Sequence, residues 1–341
     1  MIVANQSGPV LLVEQLESRE VMSTTPVFDT LLTVELTDSE IVIDGSDFVD
    51  QVLVYRQGSN LQVNARTFIG DDFVDKRFTF WGGHVDSILF LGKGGNDRFN
   101  AGTIFQEIIA DGGRDNDTLI AGGGKSNLLG GHGNDTLRGG SNNDYLNGGD
   151  GHDELHGGGG NDVMFGIAGN DYLSGGPGQN SMYGGTGNDR MYGGSDYDWM
   201  RGDQGNDSLY GGGGNDILYG DDGNDLIYGD GGHDKIYGQR GNDILLGGNG
   251  NDLLRGGDNN DYLYGGFDND SLYGDGGYDH LWGEFGNDYL NGGRDGYYDY
   301  VSGGSGSDRF EIHEGKWWQW WYVGEVDNYV DFNSREGDRY V

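Results

Sequence analysis

Carboxylates recur in this chain at an interval of nine. Between Gly112 and Asn291, 20 nonapeptides follow one another without a break, and the sixth position is Asp in 18 of them. Those residues are Asp117, Asp135, Asp144, Asp153, Asp162, Asp171, Asp189, Asp198, Asp207, Asp216, Asp225, Asp234, Asp243, Asp252, Asp261, Asp270, Asp279 and Asp288; Ser126 and Asn180 take the place in the other two units. Flanking units add Asp97 (GKGGNDRFN, 92–100) and Asp308 (GGSGSDRFE, 303–311). A two-residue insertion near Arg294–Tyr298 precedes the last unit, and the register resumes at Asp299 and Val301. Around each Asp the pattern is G-G-x-G-x-D-x-U-x, where U is Leu, Ile or Met in all 20 units.

This spacing suits a hard cation. Gly at positions one, two and four allows positive φ and close backbone approach, so the first part of each unit reads as a turn. The D-x-U-x end reads as a strand of about three residues, with U facing one side. Two units then make a coil, and stacked coils bring like turns to strand spacing, ~4.8 Å. Two such turns offer about six oxygens from carbonyls and carboxylates, and calcium takes 6–8 at tolerant geometry. Magnesium demands a tighter octahedron, and zinc favours His or Cys, neither of which the repeat pattern specifies. Asx-turn capping explains one Asp at a time. It does not explain carboxylates stacked every 18 residues, which repel one another unless a cation lies between them.

The elements that must hold these carboxylates follow from the repeat. The expected fold is all-β, a right-handed parallel β-roll (β-solenoid) of about ten coils, with two nonapeptides per coil and β caps at both ends. The motif resembles that of the RTX, or haemolysin-type, calcium-binding repeats, and the resemblance covers roughly 92–311. It implies calcium between unit n and unit n+2, with each sixth-position Asp, including Asp97 and Asp308, as a ligand. The continuous run contains 18 such pairs, so up to about 18 ions are expected; 15 pairs have Asp on both sides. Pairs involving Ser126 and Asn180 are expected to be weaker. Full occupancy would nearly cancel the formal charge of −37.

Composition narrows the partners. So acidic a chain repels nucleic acid and anionic lipid. Gly supplies 71 residues and Pro only 3, which excludes collagen, and Cys is absent, so no disulfide framework exists. No apolar run approaches the ~18 residues of a membrane span. Val10–Val13, an unbroken apolar stretch near the start, is too short for the core of a secretory signal peptide. One aliphatic residue per unit makes a thin core, and ordering a Gly-rich, self-repelling array costs more than that core returns. Folding is therefore expected to wait for calcium.

Four segments are expected: a leader at 1–23, an irregular β cap at 24–91, the roll at 92–311 and an aromatic cap at 312–341. Cap strands are expected around Leu31–Leu36, Ile41–Ile43, Val52–Tyr55, Leu61–Val63, Phe78–Phe80 and Ile88–Leu91. LESREVMS at 16–23 resembles the Leu-Glu-Pro-Arg-like tag of bacterial surface and exported proteins, with Ser18 where Pro or Asp is usual. The tail resembles the segment that often follows RTX arrays, at Asp331-Phe332 and Gly337-Asp338. Trp317, Trp318, Trp320, Trp321 and Tyr322 suit a lid over the last coil better than a glycan-stacking patch.

The expected role is a secreted or cell-surface bacterial module, structural or adhesive, monomeric, with glycans or cell-surface components as candidate partners. RTX arrays often trail proteases, lipases and epimerases, but only 91 residues precede this one and no nucleophile motif occurs, so no enzyme is expected. Ice binding is disfavoured because position three is Thr only at Thr186. His152-Asp153-Glu154-Leu155-His156 superficially resembles a zinc-protease helix, but its Glu is misplaced and the frame puts it on a turn and strand. Tyr at position nine (Tyr183, Tyr192, Tyr210, Tyr219, Tyr228, Tyr237, Tyr264, Tyr273) suits sheet stabilisation more than sugar binding.

Overall fold

The computed structural model describes residues 33–311 apart from 38, 70, 71 and 81–84. Every regular element among the described residues is a strand. The chain divides into two compact units, Met1–Tyr172 and Leu173–Val341.

In the first unit the strands alternate between two sheets. One sheet orders Thr33–Thr37, Glu40–Asp44, Ser87–Leu91, Glu107–Arg114, Ser126–His132, Tyr145–Asp150 and Val163–Ala168. The other orders Asp72–Phe80, Asn60–Ile69, Asp50–Gln57, Arg98–Asn100, Thr118–Ile120, Thr136–Gly140 and Glu154–Gly158. Pairing is parallel except at the first edges. There Thr33–Thr37 folds back on Glu40–Asp44, and residues 50–80 form an antiparallel meander. These hairpins cover edges that would otherwise template pairing with another chain. Strand Glu40–Asp44 already pairs in parallel with Ser87–Leu91, and Asp50–Gln57 with Arg98–Asn100.

The second unit repeats the arrangement. One sheet steps from Ser181–Thr186 through Trp199–Gln204 and Ile217–Asp222 to Tyr289–Asn291 and Arg309–Glu311. The other steps from Arg190–Gly194 through Ser208–Gly213 to His280–Phe285 and Tyr300–Ser305. Each unit is thus a parallel β-roll with two nonapeptides per coil. Register follows the repeat: Leu128 lies beside Leu146 and Leu209 beside Ile227, 18 residues on. Where the sequence carries two extra residues the register absorbs them, pairing Phe99 with Leu119 and Leu281 with Val301.

The eighth-position residue is the core. Leu128, Leu137, Leu146, Leu155 and Met164 in the first unit, and Met182 to Leu290 in the second, are wholly buried. Positions seven and nine face outward, as strand alternation requires. Before the repeats the core is richer, with Ile41, Ile43, Val54, Ile88 and Phe90 buried and Phe90 stacked on Phe99 at 5.0 Å. Leu209→Ala is expected to destabilise the folded roll by about 2–5 kcal/mol, because the packed neighbours cannot collapse into the gap. Urea melts at saturating calcium would measure it, and a loss below ~1 kcal/mol would show that the seam is not close-packed.

The strands are longer than the three residues expected. Ser208–Gly213 and Ile217–Asp222 run from position seven through positions one to three of the next unit. The reason is at position one, whose glycines keep ordinary φ, so the backbone continues into the glycine pair before it turns. Positive φ is confined to the second and later residues of the turn, as at Asp221, φ 74°, and Gly223, φ 152°.

Candidate metal centre

Within each compact unit of the fold, a sixth-position Asp is held by the turn stacked beside it. Its Oδ1 accepts the backbone N–H of the sixth residue one coil earlier. Asp135 N–H donates to Asp153 Oδ1 at 2.7 Å, Asp216 to Asp234 at 2.7 Å, and Asp252 to Asp270 at 2.8 Å. The strand that follows then bonds back, as Thr136 N–H does to the Asp117 carbonyl at 2.8 Å. Backbone pairing and carboxylate therefore fix one another, and no long side chain has to be ordered to place the oxygen.

The second oxygen is different. In Asp97, Asp117, Asp135, Asp144 and Asp153, and at every sixth-position Asp from Asp198 to Asp288, Oδ2 is buried and accepts no hydrogen bond. All of these residues are at most 3% exposed. Buried polar atoms are ordinarily satisfied, and an ionised one left alone is costly. Oδ2 points into a small space beside the first glycine of its own unit. A Cβ on Gly211 would sit 2.5 Å from Asp216 Oδ2 and 3.0 Å from the Gly229 carbonyl oxygen. A Cβ on Gly247 would sit 2.5 Å from both Asp252 Oδ2 and the Gly265 carbonyl. Position one is glycine to leave this space open, with a carboxylate and a carbonyl of the unit two further on at its rim.

Oxygens that converge with no donor between them suit a cation. Among the described residues no three His, Cys, Asp or Glu side chains gather into a metal-holding group. The donors here are carboxylates and backbone carbonyls, a hard all-oxygen set that fits calcium and gives zinc nothing to prefer. A bound calcium would supply the positive charge that these oxygens face.

Burial has an electrostatic consequence without metal. Desolvation pushes Asp97 to about 9, against the backbone hydrogen bond on Oδ1 and with added repulsion from Asp117 and Asp50. Desolvation likewise takes Asp261 to about 9, Asp117 and Asp270 to about 8, and Asp135, Asp207 and Asp225 to about 7. Asp144, Asp243 and Asp288 reach about 6 for the same first reason. The metal-free fold therefore prefers protons on these groups.

Two residues outside the expected set join the stacks. Asp279 N–H donates to Asp299 Oδ1 at 3.1 Å, so Asp299 is the sixth-position residue of the unit carrying the insertion. Its signal was the 20-residue step from Asp279. Asp50 is the second: its N–H donates to Asp97 Oδ1 at 2.7 Å, and it is fully buried. Asp50, however, is satisfied by protein. Oδ2 accepts from Ser46 N–H at 2.9 Å and Ser46 Oγ at 3.1 Å, and Oδ1 from Thr67 Oγ1 at 2.5 Å. Segment Gly45–Leu53 is thus a degenerate unit, hidden because its second and fourth residues, Ser46 and Phe48, are not glycine.

The consensus of the RTX calcium-binding nonapeptide repeat, taken four copies at a time, matches overlapping segments 111–146, 129–164, 138–173, 165–200, 201–236, 237–272 and 264–298. The chain belongs to the RTX calcium-binding repeat family. No curated protein matches it.

The RTX turn contains a second stitch that the sequence did not disclose. At position five the Asn side-chain oxygen accepts the N–H of the residue one coil later, as Asn206 does from Asn224 at 2.7 Å and Asn251 from Asn269 at 2.9 Å. This runs opposite to the Asp stitch, so each coil is tied in both directions. His152 plays the same part: its N–H donates to Asn134 Oδ1 at 2.8 Å, and its Nδ1 accepts from Asn170 N–H at 2.6 Å. The His152–His156 segment is therefore turn and strand, with His156 against Glu154 at 2.5 Å. Ser126, one expected weak point, donates both N–H and Oγ to Asp144 Oδ1, at 2.7 and 2.8 Å.

Asp162 and Asp171 in the first unit and Asp189 and Asp308 in the second hold the same position, each at most 4% exposed. Asp144 N–H and Asp153 N–H donate to the first two, at 2.9 and 2.8 Å. The candidate export tag at 16–23, the Trp cluster at 317–322 and the tail at 331–338 lie outside the described residues. Among the described residues no helix is long and apolar enough to cross a membrane.

Proposed function

We propose that this RTX chain is an extracellular, calcium-loaded structural module without enzymatic activity, whose roll folds when calcium arrives. The observation that carries this reading is the stack of buried Asp Oδ2 atoms with no hydrogen-bond partner, from Asp97 to Asp153 and from Asp198 to Asp288. Ionised and metal-free, they oppose the fold; with calcium they become its staple. A chain that stays unfolded at low cytosolic calcium can be threaded out of a cell and fold outside, where millimolar calcium matches the ~10⁻⁴–10⁻³ M affinities of extracellular modules.

The aromatic surface favours the structural role over glycan stacking. Tyr192, Tyr210 and Tyr228 stack at 4.8 and 5.1 Å with planes within 8°, and Tyr264 lies 4.6 Å from Trp282 at 5°. Each ring covers the face of the next, which is the face a sugar would need. An adhesive role would use other surface, and binding to a glycan array would reveal it.

Circular dichroism tests the proposal. In chelator near neutral pH the chain is expected to give a coil spectrum, and millimolar calcium should convert it to β. A chain already β-rich in chelator at that pH would overturn calcium-dependent folding.

A further inference from the structure

We propose that Asn180 replaces a calcium ion with its own side-chain amide, so that one turn of the array closes without metal. The inference rests on the calcium reading of the other turns and concerns a turn wholly within the second unit.

Asn180 is 1% exposed, and its backbone N–H donates to Asp198 Oδ1 at 2.7 Å, as an Asp in its place would. The difference is at the tip. A Cβ on Gly175 would collide with Asn180 Nδ2 and approach the Gly193 carbonyl at 2.6 Å. In other units the same space is bordered by Asp Oδ2 and the equivalent carbonyl, as at Gly211 and Gly247. Nδ2 thus stands where Oδ2 stands elsewhere. From there it donates to Gly178 O at 3.0 Å, Gly176 O at 3.2 Å and, at 3.5 Å, Gly193 O.

These three carbonyls outline the donor set. They belong to positions two and four of the same unit and position one of the unit two further on. A carboxylate oxygen facing them is repelled by each, and a cation between them resolves the conflict. An amide resolves it differently, because its two N–H groups point at the carbonyls. Asn and Asp have the same shape, so the exchange alters charge and leaves packing unchanged. A cation entering this turn would meet amide protons, so the turn is closed to calcium rather than merely weaker. It also removes one negative charge from the stack.

Native mass spectrometry of the full chain in calcium counts the ions directly. Asn180→Asp is expected to carry one more calcium than the wild type. The reverse exchange, Asp234→Asn, should carry one fewer while keeping the β spectrum, since the amide supplies the missing donors. A folded Asn180→Asp with an unchanged count would overturn the proposal. If Asn180→Asp does not fold, Asp234→Asn decides: one ion lost with the fold kept supports the substitution, and an unchanged count or a lost fold refutes it. A wild-type chain that binds no calcium would instead sink the calcium reading itself.

Discussion

Acidification from about pH 8 to about pH 4.5 in chelator should raise the β content of the chain rather than unfold it. The sixth-position carboxylates have an ordinary value of 3.8 in the unfolded chain, while burial lifts them to about 9 at Asp97 and Asp261 and about 6 to 8 at their neighbours. Between those values the folded state holds protons that the unfolded state has released. Stability of the metal-free roll is therefore fully present below about pH 4 and is lost as pH rises through about 6 to 9. The proton does part of what calcium does, by removing the charge that cannot be left alone in the turn.

Calcium uptake carries the reciprocal signature. Near pH 5 calcium meets a folded, protonated chain and must expel protons, so its apparent affinity falls and acid is released. Near pH 8 it meets an ionised coil and releases few. Circular dichroism against pH in chelator, with sedimentation velocity to separate a monomeric roll from aggregates, reads the first effect. A weakly buffered titration with a pH indicator reads the second. A metal-free chain that stays coil from pH 8 to about 4.5 would contradict the electrostatic account.

Gly232→Ala is expected to cost at least about 4 kcal/mol, the range reserved for exceptional substitutions. Gly232 is a fourth-position residue at φ 144°, and a Cβ there would fall on the carbonyl oxygen of Gly214. A Cβ there is relieved only if the backbone turns toward the φ of 75° to 80° seen at Asp115 and Asn259, against a carbonyl held by the turn stacked alongside. Gly232→Asn should be milder, about 1–3 kcal/mol. Five units have a residue other than glycine at position four, and three of these residues, Asp115, Asn259 and Asp268, stand at φ 75°, 80° and 76°. Asn can follow them into the left-handed region by local hydrogen bonding, and Ala cannot. Urea melts at saturating calcium separate the two variants. Equal, small losses would show that position four tolerates any side chain.

The nonapeptide period carried most of the fold and all of the expected ligands. One buried aliphatic and one Asp every nine residues admit only a stack of two-unit coils, because only that arrangement puts Leu128 beside Leu146 and Asp135 beside Asp153. Asp50 escaped notice because its turn lacks the glycine signature, and its metal-free closure depends on Thr67, which a hairpin brings in from 17 residues away. The role of position-five Asn was equally hidden, since an oxygen accepting a neighbour's N–H leaves no periodic trace distinct from ordinary turn preference. At Asn180 the period marked only a departure from Asp. Which end of the amide faces the carbonyls, and hence whether that turn wants a cation, was decided by three backbone oxygens brought together by stacking. Spacing along the chain determines which residues recur on a face; the direction in which donors and acceptors point exists only once the coils are stacked.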